Sequence, residues 1–288
     1  MNDKFFAALQ YLVPQHGLSR AAGWLANCRW PMVKNPFIRW FVRRYEVDMS
    51  QALEEDPCAY EHFNAFFTRA LKPEARPLDP DPQSLLCPAD GTVSQLGRIE
   101  HGRIFQAKGQ SYSLQELLGA DAAQAEQFDQ GHFATIYLSP RDYHRVHMPL
   151  SGSLQQMAVV PGDLFSVNEA TTREVPRLFA RNERAVTVFD TEAGPMAVIL
   201  VGVMIVAGID TVWAGQVTPL RRTIIRHHYG AQAPVTLTRG DEMGRFKLGS
   251  TVIVLLGKDS VRWAEGLEAG SKTVMGQSLG RVSLTSGG

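Results

Sequence analysis

The sequence predicts an α+β protein, with a mainly antiparallel β body, barrel- or sandwich-like, behind a helical N-terminal arm. Three observations carry this. From Leu86 onward short apolar runs alternate with glycine turns, and helical periodicity is confined to Ser113–Leu118 and Ala120–Phe128. Ahead of that body, Pro73, Pro77, Pro80, Pro82 and Pro88 exclude both regular helix and central strand. Ahead of the prolines, apolar residues recur at helical spacing. The boundary falls at residues 70/71, with 1–70 helical and 71–288 β-rich. With 288 residues, 44% hydrophobic and 20% charged, the chain is long enough to bury a sizeable core.

In the arm, Phe5, Phe6, Leu9, Leu12 and Val13 share one helical face. Ser19 is placed to cap a second helix bearing Leu18, Ala22, Trp24, Leu25 and Cys28. Pro36 is placed in the first turn of a third, with Phe37, Ile38, Trp40 and Phe41. Residues 1–44 hold seven basic side chains against Asp3, a net of +6, so the rest of this formally neutral chain carries −6. A basic arm on an acidic body points to a polyanion, either nucleic acid or an anionic membrane. Its apolar content favours the membrane. Trp24, Trp30 and Trp40 interleaved with arginines suit a headgroup boundary, where each basic residue adds roughly 1 kcal/mol. The same pattern would serve an arm packed on its own body, or a dimer surface. Phe5 to Val13 lacks the basic leader and small-residue cleavage site of a signal peptide. Met196 to Ile209, the longest apolar run at 14 residues, is too short to span a bilayer.

A fourth helix is expected near Met49 to Ala70, around the cluster His62-Phe63-Asn64-Ala65-Phe66-Phe67. The prolines that follow form an extended strap. Strands are expected at Thr92–Leu96, Phe133–Leu138, Gln155–Val160, Ala185–Phe189, Met196–Val206, Thr211–Val217, Val235–Thr238 and Thr251–Leu256. No clean repeat is visible, which leaves a duplicated strand unit as an open alternative. Cys28, Cys58 and Cys87 lie far apart, which fits a reducing cytosol and neither a zinc ribbon nor a disulfide scaffold.

Three segments could carry chemistry. Pro88-Ala89-Asp90-Gly91 is a turn signal first, in which Asp90 caps the turn. Arg141 to Pro149 holds His144 and His147 beside two arginines; on an extended segment they face apart, in a turn they converge. Leu248-Gly249-Ser250-Thr251 puts a serine at the lip of an apolar strand, where glycine permits a strained peptide bond. The plain alternative is a loop glycine before a strand-starting serine. Adjacent His227 and His228 point apart in a strand, and neither a metal-ligand spacing, a Gly-x-Gly-x-x-Gly fingerprint nor the pattern of a lysine-bound pyridoxal fold occurs. Asp90, His147 and Ser250 remain as the parts of a nucleophilic serine relay.

These segments together resemble the phosphatidylserine decarboxylase family, in its membrane-associated bacterial form. The resemblance rests on Phe66-Phe67-Thr68-Arg69, Leu71-Lys72-Pro73, Ala75-Arg76-Pro77, Pro88-Ala89-Asp90-Gly91 and Asp142-Tyr143-His144-Arg145-Val146-His147. It continues through Pro161-Gly162-Asp163-Leu164-Phe165-Ser166-Val167-Asn168 and Leu248-Gly249-Ser250-Thr251, all in family order. It implies a proenzyme that cuts itself between Gly249 and Ser250, giving an upstream chain 1–249 and a downstream chain 250–288 that stay associated. His147, oriented by Asp90, would deprotonate Ser250. Its oxygen would form an ester with Gly249, and elimination followed by hydrolysis would leave a pyruvoyl group on the downstream chain. That ketone, joined to the substrate amine as a Schiff base, takes the electrons released with CO2, so no metal and no pyridoxal phosphate is needed. His144 is the expected proton donor and Ser166 a candidate for the lipid phosphate. The product would be phosphatidylethanolamine. The resemblance also implies a peripheral protein on the cytoplasmic face of the inner membrane, a homodimer as its assembly, and no nucleic-acid partner. Three rivals stand beside it: a soluble pyruvoyl decarboxylase of free amino acids, a Ser-His-Asp hydrolase of an external substrate, and a non-enzymatic membrane module.

Overall fold

A computed structural model describes residues 10, 15–107, 109–120, 122–203, 208–218, 223–230, 234–247 and 250–283. Its middle layer is a nine-stranded sheet. This contains β2 (Gly91–Arg98), β5 (His132–Leu138), β7 (Gly152–Val160), β8 (Arg184–Thr191), β9 (Gly194–Val201), β12 (Ile225–His228), β13 (Thr236–Leu237), β15 (Ser250–Leu256) and β17 (Lys272–Thr273). The order is β12-β7-β8-β9-β15-β5-β2-β17, with β13 also on β7, and every named pair is antiparallel. Runs of apolar residues, buried at nearly every position of β8, β9 and β15, explain why these strands sit centrally. Both of their faces are covered, so alternation disappears.

One face packs under the hairpin β3 (Arg103–Ala107)–β4 (Gln110–Ser113) and four short helices: α4 (Leu114–Leu118), α5 (Ala122–Glu126), α6 (Glu169–Glu174) and α7 (Leu178–Arg181). The other packs on two small sheets. These are β11 (Gly215–Gln216)-β10 (Gly208–Thr211)-β14 (Glu242–Lys247)-β6 (Arg145–His147) and β1 (Ser84–Leu86)-β18 (Ser278–Val282)-β16 (Val261–Trp263). Strand alternation divides β15 between them: Ile253 and Leu255 join the helix-side core, Val252, Val254 and Leu256 the sheet-side core. The result is an open-edged, sandwich-like stack rather than a closed barrel.

The arm keeps its own aromatic core. In it α1 (Gln15–Ala26), α2 (Pro31–Tyr45) and α3 (Phe63–Phe67) bury Ala26, Ile38, Phe41, Phe63, Phe66 and Phe67. The expected helix over Phe5–Val13 lies outside the described residues, Gln10 excepted. Three expectations for the arm are corrected. Ser19 is not a cap: it lies buried inside α1. Pro31, not Pro36, occupies the first turn of α2, and Pro36 sits within the helix. The long helix at Met49–Ala70 shrinks to α3. Asp48 accepts from the Ser50 amide and Asp56 from the Cys58 amide, each at 2.9 Å, so local side-chain bonds replace helical ones. Thr211–Val217, expected as one strand, is the tight hairpin β10–β11 turning at Trp213–Ala214.

Candidate active site

Residues 66–69, leaving α3, lie along the loop that leads into β6. The Phe67 ring covers His144 with centroids 3.9 Å apart, Arg145 Nε donates to the Thr68 carbonyl (2.9 Å), and Arg69 Nη2 donates to the Arg141 carbonyl (3.2 Å). His144 is fully buried. Its Nδ1–H donates to the Asp142 carbonyl (2.8 Å), which fixes the tautomer and leaves Nε2 as a bare acceptor with no partner among the described residues. Burial pushes the imidazole down to about 3, against the help of that carbonyl. His144 is therefore neutral at any physiological pH in this closed arrangement.

His147, three residues on, is held from both ring nitrogens. Nδ1–H donates to the Gly240 carbonyl (2.8 Å), and Nε2 accepts from the Tyr143 hydroxyl (3.1 Å). Burial holds it below the ordinary histidine range; the Gly240 bond and the charges of Glu242 and Asp90 pull it partly back. Burial also lifts Tyr143 to about 12, so its hydroxyl stays protonated and donates.

Asp90 does not touch His147. Arg76 Nε reaches both of its oxygens (2.9 and 3.1 Å), Arg76 Nη2 adds a further bond, and the Met275 amide donates to Oδ1 (2.9 Å). The two segments are nevertheless neighbours, since the His147 amide donates to the Pro88 carbonyl (2.8 Å). Glycine at 91 is a steric requirement: a Cβ there would lie 2.2 Å from the Tyr137 carbonyl oxygen, because β2 crosses hard against β5.

Ser250 opens β15 opposite Leu138, fully buried, with its hydroxyl unpartnered among the described residues. Alternation puts it on the face of Val252 and Leu138, the side of β6 and β14. The chain from Leu138 to His144 and the bond from the Phe246 amide to the His144 carbonyl (3.0 Å) bring both ends of this corner together. Gly249, the other half of the expected scissile bond, lies outside the described residues.

Ser166 stands apart. Its hydroxyl bonds the Thr171 hydroxyl (2.7 Å) and its amide donates to Gln10 Oε1 (2.8 Å), on the helix-bearing face. There a cavity of about 610 Å3 opens among Thr92, Phe105, Tyr137, Val167 and Arg173. Sequence reasoning missed Arg69, Arg76 and Tyr143 as parts of the site. All three lie in quoted motifs, but only the fold shows what each one holds.

A family profile described as phosphatidylserine decarboxylase matches residues 63–281, and a second, described as PSD, matches residues 5–46. The chain belongs to the phosphatidylserine decarboxylase family. It is 64% identical over 281 residues to a phosphatidylserine decarboxylase proenzyme of Pseudomonas putida, covering 97% of this chain and 98% of the relative. Similar proenzymes of Pseudomonas fluorescens (63% over 282 residues, 97% and 98% covered) and Azotobacter vinelandii (62% over 286, 99% and 100%) match equally completely. The chain is thus a decarboxylase, and the second profile makes the arm part of what the family shares. No helix among the described residues is long and apolar enough to cross a membrane.

Proposed function

We propose that this chain is a self-cleaving proenzyme that converts phosphatidylserine to phosphatidylethanolamine with a pyruvoyl group made from Ser250. The observation that carries the reading is the Ser250 hydroxyl, which is buried, without a partner among the described residues and first on a strand that sits mid-sheet in a family of proenzymes. Buried hydroxyls normally find a partner, so one that lacks it invites a chemical explanation. Attack by Ser250 Oγ on the Gly249 carbonyl shifts that acyl group from nitrogen to oxygen, and the hydroxyl proton goes to His147 Nε2, the unprotonated nitrogen, with Tyr143 already aligned on it. Elimination then releases Gly249 as a carboxylate, taking Oγ with it. Water hydrolyses the dehydroalanine left at 250 to the pyruvoyl ketone, and its nitrogen leaves as ammonia. Asp90 favours the resulting imidazolium through space, since contact is taken up by Arg76.

A pyruvoyl ketone at position 250 supplies the electron sink that loss of CO2 from an amino acid requires. The residues around it move protons. The substrate amine arrives as an ammonium, and the bare Nε2 of His144 can take its proton and return it to the former α-carbon. Neutrality in the closed chain is what lets His144 begin as an acceptor. Ser166 remains the proposed contact for lipid phosphate, reached from the cavity side. After cleavage, β15, paired through seven residues with β5 and through six with β9, holds the downstream chain in place together with β17 on β2 and β18 on β1. The division into a docking region, 1–70, and a catalytic body, 71–288, belongs to the same reading. Trp24, Trp30, Met32 and Trp40 point outward, 53% exposed or more, beside exposed Arg39, Arg43 and Arg44. Such a patch fits peripheral attachment to an anionic leaflet, on the cytoplasmic face.

Intact-mass analysis tests this. The wild type should give two fragments, the smaller starting with a pyruvoyl group, and Ser250→Ala one uncut chain. A continuous, active chain that labels with a fluorophosphonate would establish the hydrolase instead. Within the proposal, a second assignment has its own support: among the described residues His144 Nε2 and Ser250 Oγ both lack partners, whereas His147 Nε2 is occupied. His147→Ala accumulating precursor while His144→Ala cleaves and turns over slowly supports the first; the reverse makes His144 the base.

A further inference from the structure

Arg69 is a buried cation with no carboxylate bonded to it among the described residues. It is 4% exposed, and its Nε and Nη1 have no hydrogen-bond partner among the described residues. Only Nη2 is used, on the Arg141 carbonyl (3.2 Å), and the guanidinium carbon lies 5.7 Å from the Phe66 ring centroid. Asp90 acts on it electrostatically but is already committed to Arg76, while Tyr60 and Tyr143, also within range, are neutral. Burying a guanidinium with donors unmet is costly, and chains keep such groups where an anion will pair them. The loop that holds Arg69 also holds His144, stacked under Phe67 two residues earlier. Arg69, His144 and Ser250 thus supply three sets of buried polar atoms without partners among the described residues.

We propose that Arg69 is the carboxylate receptor of this site. A planar fork of in-plane donors matches a carboxylate, and a terminal planar anion enters a closed site more readily than a phosphodiester with two ester arms. Resting on the function proposed above, two carboxylates are candidates for it. One is the amino-acid carboxylate of the lipid substrate, attached to the very carbon that reacts. The other is the carboxylate that self-cleavage leaves on the upstream chain. The product phosphatidylethanolamine has none, so the first source makes Arg69 the residue that tells substrate from product.

The test begins on the uncleavable Ser250→Ala chain, which needs no maturation. Formate, titrated against sodium chloride of equal ionic strength, should raise its melting temperature saturably. Ser250→Ala/Arg69→Gln should show no formate-specific rise, and Ser250→Ala/Arg69→Lys a weakened one. No such rise in Ser250→Ala, or an equal one with glutamine, overturns the proposal. The mature Arg69→Lys and Arg69→Gln enzymes then identify the source. If it is the substrate, KM for dihexanoyl phosphatidylserine rises roughly 10- to 100-fold while inhibition by dihexanoyl phosphatidylethanolamine is unchanged. If it is the chain end, KM holds, but cleavage lowers the melting temperature more with glutamine than with arginine. Neither effect overturns the assignment. Should the wild type fail to cleave or to consume phosphatidylserine, the function falls while the formate result stands.

Discussion

Replacing Asp90 by asparagine probes the most closely tied carboxylate of the site. Its side chain is 9% exposed and that of Arg76 15%, so water screens the pair little. Removing one partner of a buried pair costs about 3–5 kcal/mol, because the survivor keeps its desolvation penalty. Asparagine retains an oxygen for the Met275 amide, which places the loss near the lower end, about 3 kcal/mol. For a body of this size that is a fall in melting temperature of about 6–12 °C. Calorimetry on the Ser250→Ala background measures it without interference from cleavage. Arg76→Met should cost a similar amount, and the double variant should recover part of the loss, since it leaves no unpaired charge behind. The same two variants in the cleavable chain should slow precursor processing alike. Asp90→Asn within about 1 kcal/mol of its parent, or strict additivity, would show a solvent-screened pair of the ordinary surface kind. An Arg76→Met chain that processes at the wild-type rate while Asp90→Asn stalls would restore a direct role for Asp90 on His147.

Three further expectations follow from the same geometry. His144 titrates near 6.5 when unfolded and at about 3 when folded, so its neutral burial stabilises the chain above pH 6.5. That contribution drains away as pH falls towards 3, by up to about 1.4 kcal/mol per unit; urea melts of Ser250→Ala across this range should flatten in Ser250→Ala/His144→Phe, and an unchanged slope refutes the assignment. Trp24, Trp30 and Trp40 replaced together by serine should weaken partitioning onto anionic vesicles by about 3 kcal/mol or more, read by co-sedimentation, if the exposed rings insert. Gly91→Ala drives a Cβ into the Tyr137 backbone and should cost about 3 kcal/mol or prevent folding, visible as lost soluble yield or a depressed melting temperature; near-wild-type stability would mean that β2 can shift away from β5.

Legibility in the sequence tracked burial on both faces. β5, β7, β8, β9 and β15 were readable because two apolar layers cover them and their runs are continuous. β6 and β14 were not. Arg145 and Arg245 turn outward to share Glu242 at 2.8 and 2.7 Å, so only Val146, Met243 and Phe246 report a core. β12, with Ile225 to His228 all exposed on a sheet edge, offers one isoleucine and three polar residues and so no apolar run. The arm misled for a different reason. Helical spacing over Met49–Ala70 was genuine at Phe63–Phe67 only, and the acidic turn formers before it outcompeted the helix. Motif order singled out Asp90, His144, His147 and Ser250 as candidates. It could not show that Arg76 takes Asp90, or that Tyr143 and Gly240 take both nitrogens of His147, because these partners meet only through sheet pairing and loop closure.

The arm and the reacting groups form one connected structure. Phe63 packs on Phe37 and Phe41 with centroids 4.5 and 4.9 Å apart, anchoring α3 in the aromatic core of the arm. Four residues later the same short helix ends on Phe67, the lid of His144, and then on Arg69. A displacement of α2 large enough to seat Trp40 in a bilayer must either break that aromatic cluster or carry α3 with it. Breaking the cluster forfeits several ring contacts, each of the order of 0.5–1.5 kcal/mol beyond the area buried. Moving α3 instead uncovers one imidazole and gives up two side-chain hydrogen bonds, Arg69 Nη2 to the Arg141 carbonyl and Arg145 Nε to the Thr68 carbonyl, in place of several ring contacts. The second path is the cheaper. On the proposed function, contact with the membrane that carries the substrate is therefore also what exposes His144 and Arg69 to it.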